Sequence, residues 1–182
     1  MKIAVVTPVF SIAGVPLAQV RFARALESRG HDVTLVIGRV DPQYKFPDTT
    51  GIKVIDLQKA NVRSMFRPLC AFLNESDPDV VFSAEDHLNC IVLLAAVVTG
   101  SKAKISCSSR VTPYDTYSSV PLSKRWVLKQ LMRMMMGRAD ALTCVSKDMV
   151  KQYQTVFRSP KHVCVYNIVD DEPLTKRAYA DA

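Results

Sequence analysis

The chain has 182 residues, of which 48% are hydrophobic and 23% are charged, and its net charge at neutral pH is +7. This composition suits one folded domain with a hydrophobic core and argues against intrinsic disorder. The longest apolar run, residues 90–98, is about half of what a membrane-spanning helix needs. The first residues contain no apolar stretch long enough for a secretion signal. We therefore expect a soluble protein or one bound to a membrane surface.

The positive charge favours anionic partners but does not distinguish phosphate ligands, anionic lipids and nucleic acid. The sequence contains no zinc-finger, RRM or KH pattern, and its basic residues are not gathered in one tail, which disfavours nucleic acid. The five cysteines form no C-x-x-C pair. We therefore expect no metal site and no disulfide framework, and a reducing, cytoplasmic location fits best.

Short apolar runs alternate with longer segments of helical periodicity along the whole chain. The predicted strands are residues 2–7, 33–37, 52–55, 79–82, 104–107, 141–145 and 162–166. The predicted helices are residues 16–29, 64–74, 88–99, 122–136 and 146–157. The remaining segments, including the proline-containing stretches 38–51 and 110–121, are expected to be loops. This order predicts a doubly wound, mainly parallel α/β sheet of the Rossmann-like type, with ligands at the carboxyl ends of the strands.

The turn after the first predicted strand contains Ala13 and Gly14 and opens the first helix. Backbone N–H groups and the helix dipole at such a position favour an anion. The turn has one glycine instead of a G-x-G-x-x-G set, and no G-K-[ST] follows it. It is therefore neither a dinucleotide fingerprint nor a P-loop, and an ordinary strand–helix turn is the alternative.

Two carboxylates and an imidazole, Glu85, Asp86 and His87, follow the fourth predicted strand. They are suited to binding sugar hydroxyls or to acting as acid and base. The alternative is that Asp86 caps the helix predicted to begin near residue 88, where Glu85 would favour the same helix dipole.

Ser109, Arg110 and Tyr114 follow the fifth predicted strand. The guanidinium of Arg110 carries a fork of donors that suits a phosphate or a hydroxyl. A solvated or salt-bridged arginine is the alternative.

The predicted helix 122–136 lies within a stretch, residues 116–139, that contains no acidic residue. Arg125, Lys129 and Arg133 recur at every fourth position and so share one face, and Trp126 lies among many apolar side chains. A basic amphipathic helix of this kind suits an anionic membrane interface. Packing of its methionines in a core is the alternative.

Four segments occur in order along the chain: RGHDV at 29–33, DPDVV at 77–81, RADALTCVS at 138–146 and VCVYNIVD at 163–170. With the turn at Gly14, they resemble the N-terminal, acceptor-side domain of a retaining family-4 glycosyltransferase of the two-domain GT-B fold. The resemblance runs nearly end to end. It implies that residues 1–170 are a Rossmann-like acceptor-binding domain, one half of a GT-B fold, and that residues 171–182 begin a linker or tail.

The resemblance implies transfer of a sugar from a nucleotide-diphosphate donor to a saccharide or lipid-linked acceptor, with retention and without a further cofactor. The implied donor-diphosphate loop is Ala13 and Gly14. The expected acceptor contacts are Glu85, Asp86, His87, Ser109, Arg110 and Tyr114. The expected contacts with an anionic surface, at the inner face of the cell membrane, are Arg125, Trp126, Lys129 and Arg133.

The donor-binding residues of the family belong to a C-terminal domain, and a search of this sequence for them finds none. We therefore expect the chain to be inactive alone and to have that domain as its partner. The main alternative is a stand-alone module for saccharides or phosphate, or a non-catalytic subunit. Half of a nucleotide-sugar epimerase is a weaker alternative.

Overall fold

The computed structural model describes residues 1–11, 14–44 and 49–166. The expectations for Ala13 and for residues 171–182 lie outside these ranges. Seven strands form one sheet in the order β3-β2-β1-β4-β5-β6-β7, and every neighbouring pair is parallel. The prediction of a doubly wound parallel α/β sheet is confirmed.

The strands and helices follow one another in the predicted alternation. The strands are β1 (Lys2–Phe10), β2 (Asp32–Val40), β3 (Lys53–Asp56), β4 (Val80–Ala84), β5 (Lys104–Ser109), β6 (Ala141–Cys144) and β7 (Lys161–Cys164). The helices are α1 (Gly14–Glu27), α2 (Phe66–Ser76), α3 (Asp86–Thr99), α4 (Pro113–Thr116), α5 (Lys124–Met135) and α6 (Lys147–Val156). Short 3-10 turns precede α2 (Val62–Met65) and follow α5 (Met136–Arg138).

The two faces of the sheet have separate hydrophobic cores. On one face, helices α2, α3, α5 and α6 supply Phe72, Leu93, Met132 and Tyr153 to a large core. On the other face, α1 supplies Val20 and Ala23 to a smaller core over β1 and β2. The central strand β1 is buried on both sides, which explains its continuous apolar sequence.

Serine side chains fix the starts of two helices. The hydroxyl of Ser123 accepts a hydrogen bond from the Trp126 backbone N–H at 3.1 Å, so α5 begins at Lys124 and not at the predicted residue 122. Ser146 caps α6 as expected, accepting from the Met149 N–H at 3.2 Å.

Two of the predicted loops were wrong in part. The segment 110–121 contains α4, which begins with Pro113 after the capping residue Thr112. Strand β2 continues past residue 37 to Val40, beside a β1 that continues to Phe10. This extension requires Gly38, because a Cβ there would overlap the carbonyl oxygen of Pro8 and lie 2.7 Å from the sulfur of Met65.

The chain reverses its direction of winding between β1 and β4. From β1 it passes through β2 and β3 on one side, and it then returns to place β4 on the other side of β1. In open parallel sheets such a switch point leaves a crevice at the carboxyl ends of the strands, where ligands bind. The loops that follow β1, β4 and β5 therefore define the region in which a site is expected.

We predict that Gly38→Ala lowers the free energy of unfolding by about 1–3 kcal/mol, because the added methyl group overpacks against the backbone of β1. The matched control is Gly137→Ala. No described atom lies within 4 Å of a Cβ at that position, so this variant should gain up to about 1 kcal/mol from alanine's better helix propensity. Urea unfolding measures both, and equal stabilities would contradict the close approach of β1 and β2.

Candidate functional site

A cavity of about 420 Å³ lies at the switch point, between the start of α1 and the loops after β4 and β5. It brings together Glu85, His87, Arg110 and Arg125 with Val15 of the first helix. The remaining described lining residues are Asp86, Val111, Asp115 and Thr116. Tyr114, an expected acceptor contact, is absent from this lining, and its side chain is 67% exposed beside the site.

Gly14 is the first residue of α1 and has a φ of 63°, in the left-handed region. The first turn of α1 contains no acidic residue, so the positive end of its dipole faces the crevice without a neutralising charge from the helix itself. Ala13, its predicted companion, lies outside the described residues.

Glu85 connects β4 to α3 in a backbone conformation that side-chain-bearing residues rarely adopt, with φ 79° and ψ 130°. Its N–H donates to the carbonyl of Ser108 at 3.0 Å, and its own carbonyl accepts from the Asn89 N–H at 2.8 Å. A strained residue held from both sides in this way is typical of a functional position, at a strain of about 1–3 kcal/mol. Burial raises the pKa of the Glu85 carboxyl.

Asp86 lies beneath the cavity and is only 4% exposed. Its Oδ1 accepts hydrogen bonds from the hydroxyls of Ser109 at 2.9 Å and Tyr117 at 2.6 Å. Its Oδ2 lies 3.0 Å from the hydroxyl of Tyr153. We call these four residues the Asp86 cluster. It ties the starts of α3 and of the loop after β5 to α6.

A count of the hydrogens in this cluster points to a neutral Asp86. The Tyr153 hydroxyl lies 3.0 Å from Asp86 Oδ2 and also 3.0 Å from the carbonyl oxygen of Val111, and its one proton can serve only one of them. A proton on Oδ2 that is donated to Tyr153 satisfies every group. Burial raises the pKa of Asp86, against the opposing effect of hydrogen bonds from Tyr117, Ser109 and Tyr153.

The structure corrects one expectation about these residues. The capping interpretation of Asp86 is wrong, because Glu85 occupies the cap position of α3 and its side chain makes no capping bond. Asp86 and Ser109 are 4% and 0% exposed and are bonded to each other. They therefore position the loops around the site, and their contact with an acceptor stays a prediction.

Arg110 lies between two anchored neighbours. Ser109 is bonded to Asp86, and the carbonyl of Val111 accepts from Tyr153. The Arg110 side chain is half-buried, and burial lowers its pKa. It borders the first cavity and also a second, of about 180 Å³, on the α1 side of the sheet. Arg110 is thus the residue that the two cavities share.

The residues of the predicted cationic stripe lie on one continuous helix, α5, and differ in their surroundings. Arg125 turns toward the site, where its guanidinium donates to the carbonyl oxygens of Tyr114 at 2.9 Å and Thr116 at 3.4 Å. Trp126 is half-buried and Arg133 is exposed. The outer face exposes Val127, Leu131 and Met134, which recur at helical spacing.

Sequence reasoning missed the residues that hold the site together. Tyr117 lies in a predicted loop and Tyr153 in a predicted helix, and no local sequence pattern connects either residue to Asp86. Gln19, which borders the second cavity at 2% exposure, lies on the inner face of a predicted amphipathic helix. A polar residue at a buried helical position was the signal that could have revealed it.

The described residues contain no group of three or more histidine, cysteine, aspartate or glutamate side chains that could hold a metal ion. Within the same residues, every helix is too short or too polar to cross a membrane.

Several solved structures share this fold. The chain matches sucrose-phosphate synthase from Thermosynechococcus elongatus with a TM-score of 0.71 and 12% identity, over 100% of this chain and 52% of that one. It matches the lipopolysaccharide outer core galactosyltransferase WaaB with a TM-score of 0.62 and 16% identity, over 93% of this chain and 46% of that one. It also matches Anabaena HepE in complex with UDP and glucose, with a TM-score of 0.63 and 13% identity, over 93% of this chain and 45% of that one. The chain thus spans about half the length of these structures, and its fold is that of one half of a GT-B glycosyltransferase.

The family model for glycosyltransferase family 4 matches residues 13–173. The chain therefore belongs to glycosyltransferase family 4, and the predicted resemblance is confirmed at the level of family and fold. No curated protein sequence matches the chain significantly.

We predict a pH-dependent difference in the free energy of unfolding between the protein and its Asp86→Asn variant. As pH rises, the protein should lose stability relative to the variant. Burial raises the folded-state pKa of Asp86 above its unfolded value of about 4. The neutral carboxyl therefore contributes its full stabilisation below that pH, and the contribution is lost as pH rises toward the folded pKa, by at most about 1.4 kcal/mol per pH unit.

Urea unfolding of both proteins from pH 4 to pH 7.5 measures this difference. Asp140→Asn provides a comparison of opposite sign. Despite some burial, hydrogen bonds from the Ile105 N–H and from Lys104 lower the pKa of Asp140, so its contribution is lost as pH falls. Parallel curves for the protein and Asp86→Asn would show that Asp86 is ionised in the folded state.

Proposed function

We propose that this chain is the acceptor-binding domain of a retaining glycosyltransferase that uses a nucleotide-diphosphate sugar. The acceptor is a saccharide or a lipid-linked saccharide. The observation that carries the proposal is the convergence of Glu85, His87 and Arg110 on one cavity at the switch point, beside the N-terminus of α1. Family membership supports a transferase and gives no support to an epimerase.

Glu85 and Arg110 both line the cavity and are suited to binding the acceptor. The carboxyl of Glu85 accepts a hydrogen bond from a sugar hydroxyl, and the guanidinium of Arg110 donates to a hydroxyl or phosphate oxygen. His87 is exposed at the same edge and offers a further polar contact. Because the backbones of Glu85 and Arg110 are held by neighbouring strands and by the Asp86 cluster, the acceptor meets a preorganised surface.

The donor is proposed to approach the N-terminus of α1. Gly14 leaves room for close approach of a ligand to the backbone, and the helix dipole favours the negative diphosphate. The solved structure of HepE contains UDP and glucose. In the proposed reaction the donor diphosphate leaves from the same face that the acceptor attacks and helps to remove the acceptor proton. Stabilisation of that diphosphate is the main catalytic contribution.

A second, donor-binding domain is the proposed partner, and the chain alone is proposed to be inactive. The chain spans about half of each GT-B structure that it matches. The carboxyl edge of the sheet exposes Val111, Tyr114, Val165 and Tyr166. An apolar rim of this kind suits a surface that another domain covers, whereas a stand-alone module would be expected to have a polar rim.

The outer face of α5 is the proposed contact with an anionic membrane at the cytoplasmic side. Val127, Leu131 and Met134 form an exposed apolar strip, and Met134 is 72% exposed. The exposed Arg133 and the half-buried Lys129 belong to the same helix. Apolar insertion combined with basic side chains is the usual means by which a helix lies on an anionic surface.

We predict that Glu85→Gly stabilises the fold but weakens acceptor binding. Glycine adopts the φ of 79° without strain, so the free energy of unfolding should rise by about 1 kcal/mol. Loss of the carboxyl should weaken the binding of a lipid-free oligosaccharide acceptor, identified from a glycan panel, about tenfold. Urea unfolding and isothermal calorimetry give the two values.

The matched control is Asp77→Gly. Asp77 also has a positive φ, 41°, at the end of α2 and away from the site. It should gain stability without any change in saccharide affinity. If both variants bind saccharide as the unaltered chain does, Glu85 is not an acceptor contact.

We predict that Leu131→Ser combined with Met134→Ser lowers partitioning onto vesicles rich in phosphatidylglycerol about tenfold or more. Vesicle sedimentation measures the change, and raising the salt concentration should weaken binding of the unaltered chain. Val97→Ser with Val98→Ser removes equally exposed apolar side chains from α3 and serves as the control. An equal loss for the two double variants would show that α5 has no special role.

A further inference from the structure

The second cavity, of about 180 Å³, lies between α1 and the ends of β4, β5 and β6. Its size is close to that of a cavity of about 150 Å³ that accommodates benzene. It therefore has room for one six-membered ring and not for an oligosaccharide. It meets the first cavity at Arg110, which lines both.

Apolar groups form most of the wall of this cavity. Phe22 of α1 and Phe82 of β4 pack edge to face, with ring centroids 4.9 Å apart, and Ala18 and Val165 extend the same apolar surface. Aromatic walls of this kind accept the flat or C–H-bearing face of a ring.

Two hydroxyls of the lining have already used their protons in hydrogen bonds within the protein. The hydroxyl of Ser83 already donates to Asn89 Oδ1 at 2.7 Å, and that of Thr143 donates to the Cys107 carbonyl at 3.3 Å. These hydroxyls can therefore offer only lone pairs to a ligand. A ligand must bring its own donors to match them.

The side-chain oxygen of Gln19 lacks a hydrogen-bond donor. It borders the cavity, is 2% exposed, and its side-chain oxygen has no hydrogen-bond partner among the described residues. An unpaired buried amide oxygen is destabilising, and a ligand that donates a hydrogen bond to it would remove that cost.

We propose that this cavity binds a six-membered ring that has an apolar face and carries hydroxyl groups at its rim. Phe22 and Phe82 contact the face of the ring, and Gln19 accepts from a hydroxyl. This inference rests on the proposed function, because it makes the ring that part of the acceptor which lies beyond Arg110. The ring comes from a terminal sugar or from a phenolic group.

The test is NMR titration of the isotope-labelled chain with methyl β-glucopyranoside, phenol and benzene in separate experiments. The glucoside and phenol distinguish the two sources of the ring, and benzene is the same ring as phenol without the hydroxyl. We expect saturable shifts at Gln19, Ala18 and Thr143 with the glucoside or phenol. Benzene should bind about tenfold more weakly than phenol.

Gln19→Leu should abolish the difference between phenol and benzene, and it should fold at least as stably because it removes an unpaired buried oxygen. Gln152→Leu is the matched control, since the Gln152 oxygen is also buried without a partner among the described residues but lies on α6, outside the cavity. The proposal is overturned if none of the rings binds, if benzene and phenol bind equally, or if the two leucine variants behave alike.

The same titrations separate this inference from the proposed function. Shifts at Gln19 and Thr143 with none at Glu85 and His87 would support the ring cavity and contradict the acceptor site at the switch point. Shifts at Glu85 and His87 alone, from the glucoside, would support the acceptor site and overturn the ring cavity.

Discussion

The buried carboxyl of Asp86 is the constraint on which the geometry of the site depends. It binds hydroxyls from three separate segments: Ser109 at the end of β5, Tyr117 after α4 and Tyr153 on α6. A neutral carboxyl can satisfy all of these contacts in a medium that disfavours charge. The result is a rigid base under the carboxyl edge of the sheet, and Arg110 projects from the middle of it.

In this arrangement, the residues that hold the loops in place differ from the residues proposed to bind the ligand. The residues most deeply buried at the edge, Asp86 and Ser109, are bonded to each other and hold the loops in place. Their neighbours in sequence, Glu85 and Arg110, are half-buried and line the cavities. The positive φ of Glu85 fits the same division, since the strain is stored in the residue proposed to contact the acceptor. In each pair of adjacent residues, one stabilises the loop and the other lines the cavity.

The sequence predicts the sheet well because buried parallel strands have a strong apolar signature, as in β1 and β4. It also predicts a site at the carboxyl ends of the strands, and Glu85 and Arg110 line a cavity at that edge. It does not predict the Asp86 cluster, whose tyrosines are 31 and 67 residues away along the chain. The direction of Arg125 was likewise unpredictable, since helical periodicity places a residue on a face but does not identify its bonding partners.

The proposed function requires that this domain binds the acceptor and not the donor. It is tested most directly by titrating the isotope-labelled chain with nucleotide diphosphates and, separately, with an oligosaccharide panel, and mapping the shifts by heteronuclear NMR. We expect saturable chemical-shift changes around Glu85, His87 and Arg110 when saccharide is added. Nucleotide should cause only weak, non-saturating changes. Tight nucleotide binding centred on Gly14, with no saccharide response, would contradict it and identify a self-sufficient nucleotide-binding domain.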